Sequence, residues 1–113
     1  MSKDLNISVL MDFYGSLLTE KQKDALELYY NCDFSLSEIA CDLEISRQGV
    51  RDSIKRGEKQ LIELEDKLGL AKKFSHMSEK LTRINELADA LGNHENENIR
   101  QIRELCNELL EEF

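Results

Sequence analysis

The sequence predicts an all-α protein in two parts, a compact domain over residues 1–68 and a helical extension over 69–113. Three observations carry this. The 113 residues include no Pro and only 5 Gly, so little interrupts a helix. Apolar residues recur every three or four positions along nearly the whole chain, the helical period. Ser/Thr-x-x-Glu/Gln boxes stand where apolar-periodic segments begin. The apolar fraction of 41% is too high for a disordered acidic tail.

The first helix is expected over Asp4–Tyr14, with Leu5, Val9, Phe13, Leu10 and Leu17 at helical spacing and a break at Gly15-Ser16. Thr19-Glu20-Lys21-Gln22 has capping-box form, in which hydroxyl and amide satisfy orphan N–H groups reciprocally. It opens a second helix with the stripe Ala25, Leu26, Leu28, Tyr29, ended by the polar turn Asn31-Cys32-Asp33. Ser35-Leu36-Ser37-Glu38 is a second box and starts a short third helix, with Leu36, Ile39, Ala40 and Leu43 inward. Glu44-Ile45 reads as a tight turn. Ser46 caps a fourth helix longer than 20 residues, in which Val50, Ile54, Leu61, Leu64 and Leu68 share one sector. Gly57 lies in that sector and permits close approach of a neighbour. Gly69 is either a stop or a weak point. Leu70, Phe74, Met77, Leu81, Ile84, Ala88 and Leu91 then alternate spacings of four and three, a three-heptad seam. Gly92-Asn93-His94 begins a turn that runs to Asn98. A last helix carries Ile99, Ile102, Cys106, Leu109 and Phe113, widened by Leu105 and Leu110.

Leu36 to Val50 has helix-turn-helix spacing. A small residue, Ala40, stands where the helices cross, and Ile39, Leu43, Ile45 and Val50 supply apolar contacts on both sides of the turn. The second helix then presents its N-terminal polar face outward, where it can enter a major groove. The turn position that often holds Gly, which tolerates positive φ, is Glu44.

Charge distribution supports an anion-facing surface on that helix. The chain carries 15 Lys+Arg against 23 Asp+Glu, net −8, which disfavours non-specific polyanion binding by the molecule as a whole. Residues 47–60, however, hold five cations against two carboxylates, net +3, while residues 1–46 are net −6, 61–92 net −1 and 93–113 net −4. Arg51, Lys55, Gln48 and Lys59 fall roughly 100°, 140°, 160° and 180° from Val50 on a helical projection. Arg47 and Gln48 suit base edges, guanine and adenine respectively. Ser46, Lys55, Arg56 and Lys59 suit phosphates. Nucleic-acid contact, DNA ahead of RNA, is the leading reading; protein contact and a merely solvated face stay open.

Asp12-Phe-Tyr-Gly-Ser-Leu-Leu-Thr-Glu-Lys-Gln22, Glu27-Leu-Tyr-Tyr-Asn31, Ser35-Leu-Ser-Glu-Ile-Ala40, Ile45-Ser-Arg-Gln-Gly-Val50 and Ile54-Lys-Arg56 closely resemble the YlxM family of small bacterial helix-turn-helix proteins. The resemblance covers roughly residues 7–70. Thr19 to Leu61 also looks like region 4 of sigma factors, which reads the −35 promoter element. The resemblance implies a sigma-region-4-like helix-turn-helix domain. It also implies a role in the signal recognition particle pathway, inferred for the family largely from gene neighbourhood. Carried over by position, the recognition residues are Arg47, Gln48, Arg51, Lys55 and Arg56. Gly49 and Arg51 stand where the family often has Ala and Tyr; the first weakens the opening helical turn, the second adds an exposed cation.

No enzyme constellation is visible. His76 and His94 are isolated, the Gly are dispersed, and carboxylates such as Glu63, Glu65 and Asp66 read as a solvated face. No cofactor and no metal is expected. Phe13-Tyr14 and Tyr29-Tyr30 read as core packing with hydroxyls at the surface. Cys32, Cys41 and Cys106 form no C-x-x-C pair; Cys41 and Cys106 fall in apolar-patterned segments and read as buried or bystander thiols. No apolar stretch reaches the roughly 20 residues of a membrane span, and the polar N-terminus does not resemble a signal peptide, so a cytoplasmic location is expected. The seam from Leu70 to Leu91 either folds back on the last helix or pairs with a second chain. The expectation adopted is a homodimer through Phe74, Met77, Leu81, Ile84 and Leu91. The expected function is a non-catalytic DNA-binding regulator. The alternative is a protein-interaction module contacting the signal recognition particle GTPase or its RNA–protein complex.

Overall fold

The computed structural model describes residues 3–4, 6–92 and 95–112. The expected positions of Leu5 in the first helix, Asn93 and His94 in the turn and Phe113 in the last helix lie outside the described residues. The described residues form six α-helices: α1 (Asn6–Tyr14), α2 (Glu20–Tyr30), α3 (Leu36–Leu43), α4 (Arg47–Leu68), α5 (Leu70–Ala90) and α6 (Glu97–Glu111), with a short 3-10 turn at Gly15–Leu17. No strand occurs among them. Two compact units emerge, Met1–Ala71 and Lys72–Phe113.

In the first unit α4 is the central element, with α1, α2 and α3 all packed against it. Ile7, Leu10, Met11, Tyr14, Leu18, Ala25, Leu26, Tyr29, Ile39, Val50, Ile54 and Leu61 make the buried core. Both capping boxes form. The Thr19 hydroxyl accepts the Gln22 N–H at 3.2 Å while the Gln22 amide oxygen accepts the Thr19 N–H at 3.3 Å. Ser35 and Glu38 do the same at 3.1 and 3.2 Å. Gly69, at φ 61°, ends α4 in a left-handed cap, its N–H donating to the Glu65 carbonyl at 2.8 Å. It is a stop rather than a weak point.

The inward face of α1 differs from the expected one. Val9 is 47% exposed and Leu17 57% exposed, whereas Ile7, Leu10, Met11 and Tyr14 are buried. The segment Ile7–Tyr14 contains two interleaved apolar stripes, and only packing against α4 selects one. Asp4 precedes α1, its carboxylate accepting the Asn6 N–H at 3.0 Å. Leu68 is also exposed. Cys41 is exposed and Cys106 buried; the apolar periodicity of α3 does not bring Cys41 inward, since Ile39 takes the core position.

The second unit is an antiparallel pair. The Asn85 amide donates to the Asn107 side-chain oxygen at 3.2 Å, and Asp89 and Arg103 approach to 3.7 Å. Ala88, Ile99 and Cys106 are buried. Asn96 caps α6, accepting from the N–H groups of Asn98 and Ile99. The heptad seam divides. Phe74, Leu81 and Ala88 are half-buried or buried, but Met77, Ile84 and Leu91 are 51%, 45% and 68% exposed. One row of the seam is thus at least partly covered and the other remains on the surface. Ile102 and Leu109 of α6, expected in its inward stripe, are exposed as well.

Candidate nucleic-acid interface

The helix-turn-helix consists of α3, the turn Glu44-Ile45-Ser46, and α4. Glu44 adopts φ 56° and ψ 41°, and the Ile45 N–H donates to the Ala40 carbonyl at 3.1 Å. This left-handed residue turns the chain sharply enough for α4 to start at once. Ile39 and Val50 are buried, Leu43 and Ile45 half-buried, so the turn is clamped on its apolar side. Ser46 accepts the Gly49 N–H at 3.0 Å, satisfying one orphan donor. A side chain on Gly49 would meet the Ser46 hydroxyl at 3.2 Å.

Ser46, Arg47, Gln48, Arg51, Lys55, Arg56 and Lys59 are all exposed. Helical geometry gathers Gln48, Arg51, Lys55 and Lys59 on one face. It sets Arg47 and Arg56 on opposite flanks, roughly 180° apart. None of the five cations forms an ion pair or side-chain hydrogen bond among the described residues. Lys21, Lys23, Lys67, Lys73 and Lys80 are likewise without an ion pair among the described residues, whereas Lys3, Arg83, Arg100 and Arg103 pair with carboxylates. Gln48 is engaged: its amide donates to the Asp52 carboxylate at 3.1 Å. Reading adenine bidentately therefore requires Gln48 to leave Asp52.

The arrangement opposes the local stability of α4. Helices α2, α3 and α6 each carry a Glu in their first turn, Glu20, Glu38 and Glu97. Helices α1, α4 and α5 have none there, and α4 opens on Arg47, against its own dipole. Arg51, Lys55 and Lys59 stand four residues apart, a spacing at which like charges destabilise a helix. Cations held in this way suit a surface that meets an anion.

On another flank of α4, two carboxylates are engaged by phenols. Tyr30 donates to Glu58 at 2.5 Å and Tyr14 to Glu65 at 2.7 Å. Burial first, and these carboxylates next, push both phenol pKa values above their ordinary range. The Tyr14 oxygen also accepts the Leu70 N–H at 3.0 Å.

A groove of about 480 Å³ flanks α4 on the side of Gln22. Arg56, Lys59 and Lys67 line it. Lys67 escaped the sequence reading, although it lies eleven residues beyond Arg56, three turns on and nearly in line with it. No group of three or more metal-ligating side chains occurs among the described residues, and no described helix is long and apolar enough to cross a membrane.

Residues 1–105 match the profile of the UPF0122 family, described as "Putative helix-turn-helix protein, YlxM / p13 like". The UPF0122 protein YlxM of Bacillus subtilis is 46% identical over 109 residues, 96% of this chain and 97% of that protein. A UPF0122 protein of Bacillus velezensis is 48% identical over 95 residues, 84% of this chain and 86% of its own length. Another, from Halalkalibacterium halodurans, is 51% identical over 89 residues, covering 79% and 82%. With its turn, caps and core arranged as a helix-turn-helix unit, the chain belongs to the UPF0122 family.

Proposed function

We propose that this chain is a non-catalytic DNA-binding regulator that reads its site with the N-terminal half of α4. One observation carries the reading. Arg51, Lys55 and Lys59 form an exposed row without ion pairs directly after a helix-turn-helix turn. In this reading Arg47 and Gln48 approach base edges, and Ser46, Lys55, Arg56 and Lys59 hold phosphates.

The chain acts as a homodimer in this reading, through the hairpin of the second unit. Met77 and Ile84 on α5, Leu91 just beyond its end and Leu105 on α6 are large apolar side chains left on the surface. A second copy would cover them and complete the contacts of Phe74 and Leu81. It would also supply a second reading helix, so that paired half-sites raise affinity. The setting in the signal recognition particle pathway rests on the resemblance to the YlxM family.

The test is the salt dependence of binding to duplex DNA. Affinity should fall with a log–log slope of about −0.9 per phosphate neutralised, and Arg51→Ala with Lys55→Ala should weaken it. Unchanged binding by that double variant overturns the surface assignment. Sedimentation of the full chain should give a dimer that Met77→Lys with Ile84→Lys dissociates; a monomeric wild type overturns the hairpin interface. Crosslinking in cells, with sequencing of bound nucleic acid and identification of bound protein, tests the regulator role. Recovery of the particle's GTPase without nucleic acid would favour the protein-interaction alternative.

A further inference from the structure

The groove beside α4 does not belong to the face that reads bases. It is bounded by Gln22 of α2 and by Arg56, Lys59, Gln60, Glu63 and Lys67 of α4. Three cations and one carboxylate give it a net charge of +2, on a chain whose total is −8. Neither Arg56, Lys59 nor Lys67 has an ion-pair partner among the described residues. The wall is held in place. Gln60 donates to the Leu17 carbonyl at 3.3 Å, and the Gln22 oxygen is held by the Thr19 N–H, which turns its amide N–H groups away from the helix start. The groove therefore presents converging donors and unneutralised positive charge in a shape fixed by the capping box and the 3-10 turn.

We infer that this groove is a second phosphate-binding subsite, which holds the backbone of the nucleic acid beyond the part approached by Arg47 and Gln48. The inference rests on the nucleic-acid reading above and extends it along α4. Lys59 joins the two surfaces: it is at the end of the Arg51-Lys55-Lys59 row and also lines the groove. The cations thus form one continuous track that passes from the reading face to the groove. Arg51 and Lys67 are sixteen residues apart, about 24 Å along the helix axis. A single small phosphate ligand would engage only the groove, whereas the phosphodiester backbone of a nucleic acid follows the whole track. Glu63, between Lys59 and Lys67, is the one group in the groove that opposes an anion.

The test uses the full chain and a random-sequence 24-base-pair duplex, with binding followed as salt is raised. Lys67→Ala should weaken binding about two- to fivefold, the range of a single exposed charge contact. It should make the salt slope shallower by about 0.9. Glu63→Gln should tighten binding by a similar factor. Bound duplex should protect the Lys67 amine from acetylation. Both variants should stay folded, since both positions are exposed, with Lys67→Ala melting only slightly lower because Lys67 is the basic residue in the last turn of α4, where it complements the helix dipole. If Lys67→Ala binds with wild-type affinity and slope while Arg51→Ala with Lys55→Ala is impaired, the subsite is overturned and the reading face stands. If Lys67→Ala is impaired and the double variant is not, the reading face falls and the groove remains. If wild type binds no duplex, both fall. Inorganic pyrophosphate binding that Lys67→Ala abolishes, without any effect of that variant on DNA, overturns the assignment to a nucleic-acid backbone.

Discussion

Leu26 occupies the space that a side chain on Gly57 would need: a Cβ there would lie 2.6 Å from the Leu26 Cδ1 and 3.4 Å from its Cγ. This contact brings α2 and α4 together at the centre of the first unit, where both residues are buried. In an open helix Gly57→Ala would stabilise by about 1 kcal/mol. Here overpacking costs about 1–3 kcal/mol, so the variant should be destabilised. Leu26→Ala alone removes core volume and should cost about 2–5 kcal/mol. In the double variant the added methyl enters the vacated space, so the two effects should be strongly non-additive. Urea denaturation of the four proteins measures this; additive costs would show that the two residues are not in contact.

Arg47 opens α4 without a carboxylate beside it. Arg47→Glu places an anion at the positive end of the helix dipole and four residues before Arg51, each worth a few tenths of a kcal/mol or more. Stability should rise by about 1 kcal/mol, read as a higher melting temperature, while DNA affinity falls. A variant that binds more weakly and melts no higher would remove the argument that this charge is held for function.

Glu44 is a non-glycine residue at φ 56°. Glu44→Gly relieves the left-handed strain, worth about 1 kcal/mol, and offsets part of that through a freer unfolded chain. A small gain in stability is expected. Glu44→Val, β-branched, should be clearly destabilising, because positive φ is a severe outlier for such a side chain. Equal stability of the Gly and Val variants would contradict the turn geometry.

Tyr14 and Tyr30 keep their protons to higher pH in the folded chain than in the unfolded one, because of burial and the adjoining Glu65 and Glu58. A folded pKa raised above the unfolded value gives stability that is complete below the unfolded pKa, near pH 10, and is lost as pH rises beyond it. Chemical denaturation between pH 8 and pH 11 should therefore show alkaline destabilisation. Tyr14→Phe, alone or with Tyr30→Phe, should lower stability at pH 8 but flatten the alkaline fall. An unchanged pH slope in the double variant would assign the fall to other groups.

Asp52 holds the Gln48 amide and adds a carboxylate near the cationic row. Asp52→Ala should free Gln48 and tighten non-specific DNA binding about two- to fivefold. Weaker binding would instead make Asp52 a contact residue, as a carboxylate that accepts from cytosine can be.

Local chemistry was legible from the chain alone. The boxes Thr19–Gln22 and Ser35–Glu38 and the Ser46 cap involve residues within four positions of one another, so spacing specifies them, whereas spacing left Gly69 as either a stop or a weak point. The positive cluster of α4 was equally visible, because charge is a property of residue type and the helix face follows from its period. Which α1 stripe faces inward was not visible: Val9 and Leu10 have the same chemistry, and α4 chooses between them. Nor could spacing divide the Leu70–Leu91 seam, since both of its rows are apolar at heptad intervals and only tertiary packing decides which is covered. The groove at Lys67 needed α2 beside α4 before a charge three turns beyond Arg56 became part of one wall. The chain by itself determined six helices, the N-caps of α2, α3 and α4 and the positive charge on the first half of α4, because those depend on local hydrogen bonds, residue type and periodicity. The tertiary structure alone decided which apolar rows are buried and which cations converge, because burial and charge convergence depend on neighbours distant in sequence.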